Sequence, residues 1–225
     1  MFVGHYGVSF AARSVNRRVP LWIWFVAVQW MDIIWSVLVL CGVEKLRIVP
    51  GFTQATALDL YFMPYTHGLL GSLVLSFVLG TMVALFTSKN RATTLVLVAG
   101  ASFSHWLLDL IVHEPDLPLY GDSAKVGFGL WRRVGLSFPL ELILLAAGAW
   151  LYARTATFFS AKSRYVFWGF VVSMVFVQAL ANFGPPPASP EAMSVTALVS
   201  YAVLALLAAS VERFASASTG AKPAY

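Results

Sequence analysis

Cysteine and charge are what this sequence has least of. A single cysteine, Cys41, in 225 residues excludes an internal disulfide and a zinc site built on thiolates. Charged residues make up 11%, against about a quarter in a soluble domain. Hydrophobic residues make up 59%, and the mean hydropathy is +0.77. That balance excludes an ordinary soluble domain and implies an all-α, polytopic membrane protein with the lipid bilayer as its first partner. The net charge of +5 is modest, and the basic residues form no patch interleaved with aromatics, so nucleic acid is not an expected partner. No cleavable signal is expected in MFVGHYGVSFAARSVNRR, whose apolar run is short and has no basic region before it. No internal repeat is evident.

Six apolar stretches approach the ~20 residues that a crossing needs: 21–41, 66–86, 93–112, 134–152, 166–183 and 192–211. Ten basic residues fall on one side of this pattern: Arg13, Arg17, Arg18, Lys89, Arg91, Arg154, Lys162, Arg164, Arg213 and Lys222. Five fall on the other: Lys45, Arg47, Lys125, Arg132 and Arg133. The positive-inside rule then puts both termini in the cytoplasm and the longer loops 42–65 and 113–133 outside. The chain reads as one membrane domain over 1–225, with a mobile tail at 216–225. Residues 3–16 are apolar but too short to span. They read as a half-length helix entering the cytoplasmic side, turned at NRRVP, with Pro20 starting the next helix. NFGPPPASPE makes a stiff turn before the last span.

The chemistry lies in SHWLLDLIVHEPD, residues 104–116, which sets His105, Asp109 and His113 four residues apart on one helical stripe. Imidazole and carboxylate at this spacing suit a divalent metal, and ionisable groups inside a bilayer mark functional sites. At ~1.5 Å per residue, His5 and Asp32 both sit roughly 18 Å from the cytoplasmic turn, facing each other across the hairpin. His105, Asp109 and Glu141 fall in the outer half, and His67 and His113 near the outer edge. All four histidines therefore fall at or above mid-membrane. Each has a plainer reading when taken alone. His67 and His113 read as interfacial histidines, Asp32 or Glu141 as a protonated carboxyl bonded to a neighbouring helix, and Asp116 and Asp122 as solvated loop residues. The aromatics near span ends read as a membrane belt. The last two spans carry no ionisable residue and read as structural walls.

Several of these motifs, in this order, resemble the membrane-bound metal-dependent hydrolases of the YdjM type, a bacterial inner-membrane group. The resemblance rests on His5 in VGHYG, Asp32 in QWMDIIW, Thr66-His67 in PYTHGLL, and His105 and Asp109 in SHWLLDL, with DLPLYG after them. It covers roughly residues 3–145. Two places of the family pattern differ: Ile34 stands where a second acidic residue is usual, and Phe62 where a further histidine is usual. The resemblance implies a multi-pass protein of a bacterial inner membrane.

Three functions are compatible with these residues. The first is an enzyme. His5, Asp32, His105 and Asp109 would hold a divalent ion, zinc foremost, with His67 as ligand or general base and Glu141 orienting a histidine. Its substrate would be an ester or phosphoester of a lipid-type molecule at the outer leaflet. The second is a non-catalytic scaffold subunit of a larger membrane complex, favoured by Ile34, Phe62 and the many aromatics. The third is a transporter or proton pathway through the intramembrane His, Asp and Glu.

Overall fold

The structure, a computed structural model, describes residues 1–87 and 90–216. Lys89, Lys222 and the tail 217–225 lie outside the described residues. Among the described residues the regular structure is helical apart from one small hairpin and two isolated bridges. Its elements are α1 (Val3–Val15), α2 (Leu21–Val28), α3 (Trp30–Leu40), β1 (Lys45–Ile48), β2 (Leu58–Phe62), α4 (Leu69–Leu85), α5 (Arg91–Val112), α6 (Val134–Thr155), α7 (Ala161–Phe183) and α8 (Pro190–Ser216).

Four helices, α5 to α8, are long and apolar enough to cross a membrane. Their outward faces carry large apolar side chains: Phe176 is 66% and Leu206 68% exposed. That arrangement suits a lipid surround, because water would penalise it. The expected span at 21–41 is broken. α2 and α3 meet at Gln29 with a bend of 55°. The expected span at 66–86 begins only at Leu69 and has 17 helical residues, because Pro64 to Gly68 form the turn that carries His67.

α1 forms over most of the 3–16 stretch, and it lies inside the bundle. Val3, His5, Tyr6, Ser9 and Phe10 are fully buried. Two glycines admit it. A Cβ on Gly148 of α6 would lie 1.9 Å from the Gly7 carbonyl oxygen, and one on Gly7 would lie 2.2 Å from that of Leu144. Only glycine lets the two backbones cross so closely. Around the crossing, Phe10 packs against Phe25, Tyr152, Phe167 and Phe170. α4 meets α5 through a small-residue stripe, Ser72, Ser76, Gly80 and Ala84, buried every fourth residue.

The loops at one end form a cap. Within loop 42–65, β1 and β2 pair antiparallel, Ile48 opposite Leu58 and Arg47 opposite Asp59. The all-helical expectation missed this hairpin, since a short strand pair in a polar loop leaves no long periodic pattern. Loop 113–133 joins it: Ala55 N–H donates to Trp131 O, and Leu69 N–H to Pro118 O. The turn before α8 joins through Asn182 Nδ2, which donates to Ala55 O at 2.9 Å.

Candidate metal centre

The break between α2 and α3 places Asp32 in the first turn of α3, facing α5. At the same break the Val28 carbonyl accepts from His105 Nδ1 at 2.7 Å. That bond assigns the proton of His105 to Nδ1 and leaves Nε2 as a lone-pair donor. His105 Nε2 lies 3.1 Å from Asp109 Oδ2 and 3.5 Å from Asp32 Oδ1.

His67 is fixed in the same sense by a longer chain. Glu44, just before β1, accepts the Tyr65 and Thr66 N–H groups and the Thr66 hydroxyl, the last at 2.5 Å. With its proton committed to Glu44, the Thr66 oxygen accepts from His67 Nδ1 at 2.9 Å. His67 Nε2 therefore faces the site, 3.2 Å from Asp32 Oδ1 and 3.8 Å from Asp109 Oδ2. Trp106 of α5 donates to the His67 carbonyl and fixes the backbone.

His113, just past α5, is 2% exposed, not the interfacial residue that its position alone suggests. Asp116 binds its Nδ1 at 2.9 Å, so that aspartate is not a solvated loop residue either. His113 Nε2 lies 3.5 Å from Asp109 Oδ2. Burial opposes charge on His113, yet Asp116 and Asp109 outweigh it and raise its pKa to about 9. A ligand taking Nε2 must then displace a proton.

His5 comes from α1. Its ring stacks on His105 with centroids 3.9 Å apart and planes within 11°. Its Nε2 is 3.2 Å from Asp109 Oδ1, a separation without hydrogen-bond geometry, and neither ring nitrogen has a hydrogen-bond partner. His105 Nε2 is likewise buried and unbonded. Buried imidazole nitrogens are normally satisfied, and two orphans aimed at carboxylates fit a metal ion. Met1 also reaches the site, its amino group bonding Asp109 Oδ1. Two sets of ligand atoms each lie within 4.8 Å of one another: His5, His105 and Asp109, and Asp32, His67 and His105. These buried groups could hold a metal ion.

Glu141 stands apart from the histidines. Its Oε2 accepts the Phe2 and Gly4 N–H groups at 2.7 and 3.2 Å. Gln178 of α7 donates to its Oε1 and accepts the Val3 N–H. The contacts of Glu141 thus satisfy free donors at the start of α1, and none orients a histidine as the sequence suggested. Nor are the last two helices mere walls: Gln178 lies on α7, and Tyr201 on α8 donates to Asp32 Oδ2 at 2.9 Å. Sequence reasoning missed Glu44, Gln178 and Tyr201. Glu44 sits in a polar loop, and Tyr201 looks like any aromatic of an apolar span. The one usable signal was Thr66 beside His67, a hydroxyl that needs an acceptor.

A cavity of about 730 Å³ leads to this cluster. Asp32, His67, Asp109 and His113 line it together with apolar residues such as Trp35, Met63, Trp131 and Met193. Part of its lining comes from the cap, Gly51 and Pro185 included. Its size suits a small-molecule ligand with an apolar part. Comparisons with family models, curated proteins and solved structures find no match to this chain.

Proposed function

We propose that this chain is a membrane-embedded, metal-dependent hydrolase of the kind its motifs resemble. It acts on an ester or phosphoester of a lipid-type molecule near the outer leaflet. The reading rests on one observation above the rest. His67, His105 and His113 each have Nδ1 bonded to an oxygen, and each turns Nε2 toward Asp32 or Asp109 beside an apolar cavity. Imidazole and carboxylate donors without thiolate suit zinc.

Asp32, His67, His105, Asp109 and His5 would hold the ion, and His113 would make good the histidine missing at Phe62. When bound, the ion supplies Lewis acidity, lowering the pKa of a water and polarising the scissile oxygen. Tyr201 fixes the free oxygen of Asp32, and Glu44 fixes His67 through Thr66. Trp35, Met63 and Trp131 offer the surface for an apolar tail and exclude water from the reacting groups.

The chain lies in a bacterial inner membrane, with both termini cytoplasmic and the cap outside. α2 and α3 together make one broken crossing. α4, at ~26 Å, makes a short one. The convergence of six ligating side chains counts against a purely scaffolding role. The break at Gln29 is the feature that favours transport instead, since broken helices line transport sites.

Elemental analysis of the purified protein, paired with hydrolysis of acyl and phosphoryl lipid analogues, tests the proposal. The expected result is bound metal and metal-dependent turnover in the wild type, with both lost in His105→Ala. Metal in His105→Ala at the wild-type level removes the reading. Metal-dependent flux in proteoliposomes without hydrolysis moves it to transport.

A further inference from the structure

We infer that the centre holds two divalent ions, with Asp109 bridging them. The inference rests on the metal-site reading above and goes beyond it in number and in the role of one residue.

Donor count comes first. Four histidines and two aspartates converge. A catalytic zinc ion takes about three protein ligands and a structural one about four. Five buried side chains and the partly buried Asp32 therefore exceed what one ion uses. The excess is costly without a purpose, because each buried donor left unpaired carries a desolvation penalty.

Geometry divides the donors in two. An ion about 2.0–2.2 Å from each ligand atom needs its ligands within roughly 4.4 Å of one another. The donors fall into two compact sets that share only His105. His105 has one free nitrogen, since Nδ1 is bonded to Val28 O, so it serves one ion. Asp109 has two oxygens that face different partners, Oδ1 also carrying the Met1 amino group. Oδ1 lies toward His5, while Oδ2 lies toward His105, His113 and His67. Asp32 offers only Oδ1, because Tyr201 binds Oδ2.

One assignment uses every donor. His5 and Asp109 Oδ1 would take one ion, and Asp32, His67, His105, His113 and Asp109 Oδ2 the other. Charge agrees with it. The two aspartates, Asp109 buried and Asp32 partly so, balance one divalent ion, and no lysine or arginine is among the residues lining the cavity. A second ion therefore supplies the positive charge that an anionic group entering the cavity would need. Binding on the His5 side displaces the Met1 amino group, which already places a cation on Asp109 Oδ1.

The test is metal counting on detergent-purified full-length protein saturated with Mn²⁺ and freed of excess, together with electron paramagnetic resonance. Two ions per chain and an exchange-coupled spectrum are expected. His5→Ala should retain one ion and show an isolated Mn²⁺ spectrum. One ion per chain in the wild type overturns the two-ion centre but leaves the hydrolase reading standing. No ion overturns both. Two ions without exchange coupling overturn the bridge. The wild-type count decides the matter even if His5→Ala does not fold.

Discussion

Thr66 looks inert in the sequence, yet its hydroxyl connects a loop carboxylate to a ring of the candidate metal centre. Glu44 takes its proton at 2.5 Å, and the oxygen then takes the proton of His67 Nδ1 at 2.9 Å. Removing the acceptor frees His67 to rotate or change tautomer, which outer partners of metal-bound histidines normally prevent at a cost of about 10–100-fold in affinity. Thr66→Val and Glu44→Gln are therefore expected to weaken metal binding by about that factor, measured by competition with a chromophoric chelator. Affinity within twofold of wild type in both variants contradicts the relay. At this scale the histidines and Asp109 were legible, because spacing of four in an apolar run is a local signal. Glu44, Gln178 and Tyr201 were not, because their partners lie 22, 37 and 169 residues away. Nothing local in their segments distinguishes a bonding residue from a loop charge or a belt aromatic.

At the level of elements, α1 carries His5 and is placed by α6. Gly7 and Gly148 set the depth of the crossing, and Glu141 bonds the first N–H groups of α1. Gly148→Val would press a side chain onto the Gly7 carbonyl, backbone that cannot step aside. Overpacking of this kind costs about 1–3 kcal/mol or more. The expected outcome is a lower detergent-phase unfolding temperature, together with loss of the metal-binding contribution of His5. Gly135→Ala, where a Cβ meets nothing within 4 Å, serves as control and should match wild type. Equal stability of Gly148→Val and wild type contradicts the crossing. A helix over Val3–Val15 was legible from the short apolar run and the NRRVP turn. The break at Gln29 was not: neither proline nor glycine marks it. Its polar contacts, Asp32 to Tyr201 and Val28 to His105, come from other helices. Only assembly shows that 21–41 bends by 55°.

Across the whole molecule, a bundle of apolar helices encloses a polar centre. Exposed phenylalanines and leucines face outward, while the imidazoles and carboxylates sit inside, reached through a capped cavity. The ruler of 1.5 Å per residue put His5, Asp32, His105 and Asp109 at or above mid-membrane, because helices convert sequence distance into height. It could not show the cap, whose hairpin and loop contacts depend on pairing between segments. Nor could it show the way His113 folds back over the end of α5. A buried cluster this rich in unpaired imidazole nitrogen makes physical sense with a cation in it. The most direct measurement is an anomalous difference map at the zinc edge from crystals of the purified protein. The account expects density between His105, Asp32 and Asp109, within ligand distance of their Nε2 and carboxylate oxygens. A map with no anomalous density there, in protein shown to bind zinc elsewhere or not at all, contradicts it.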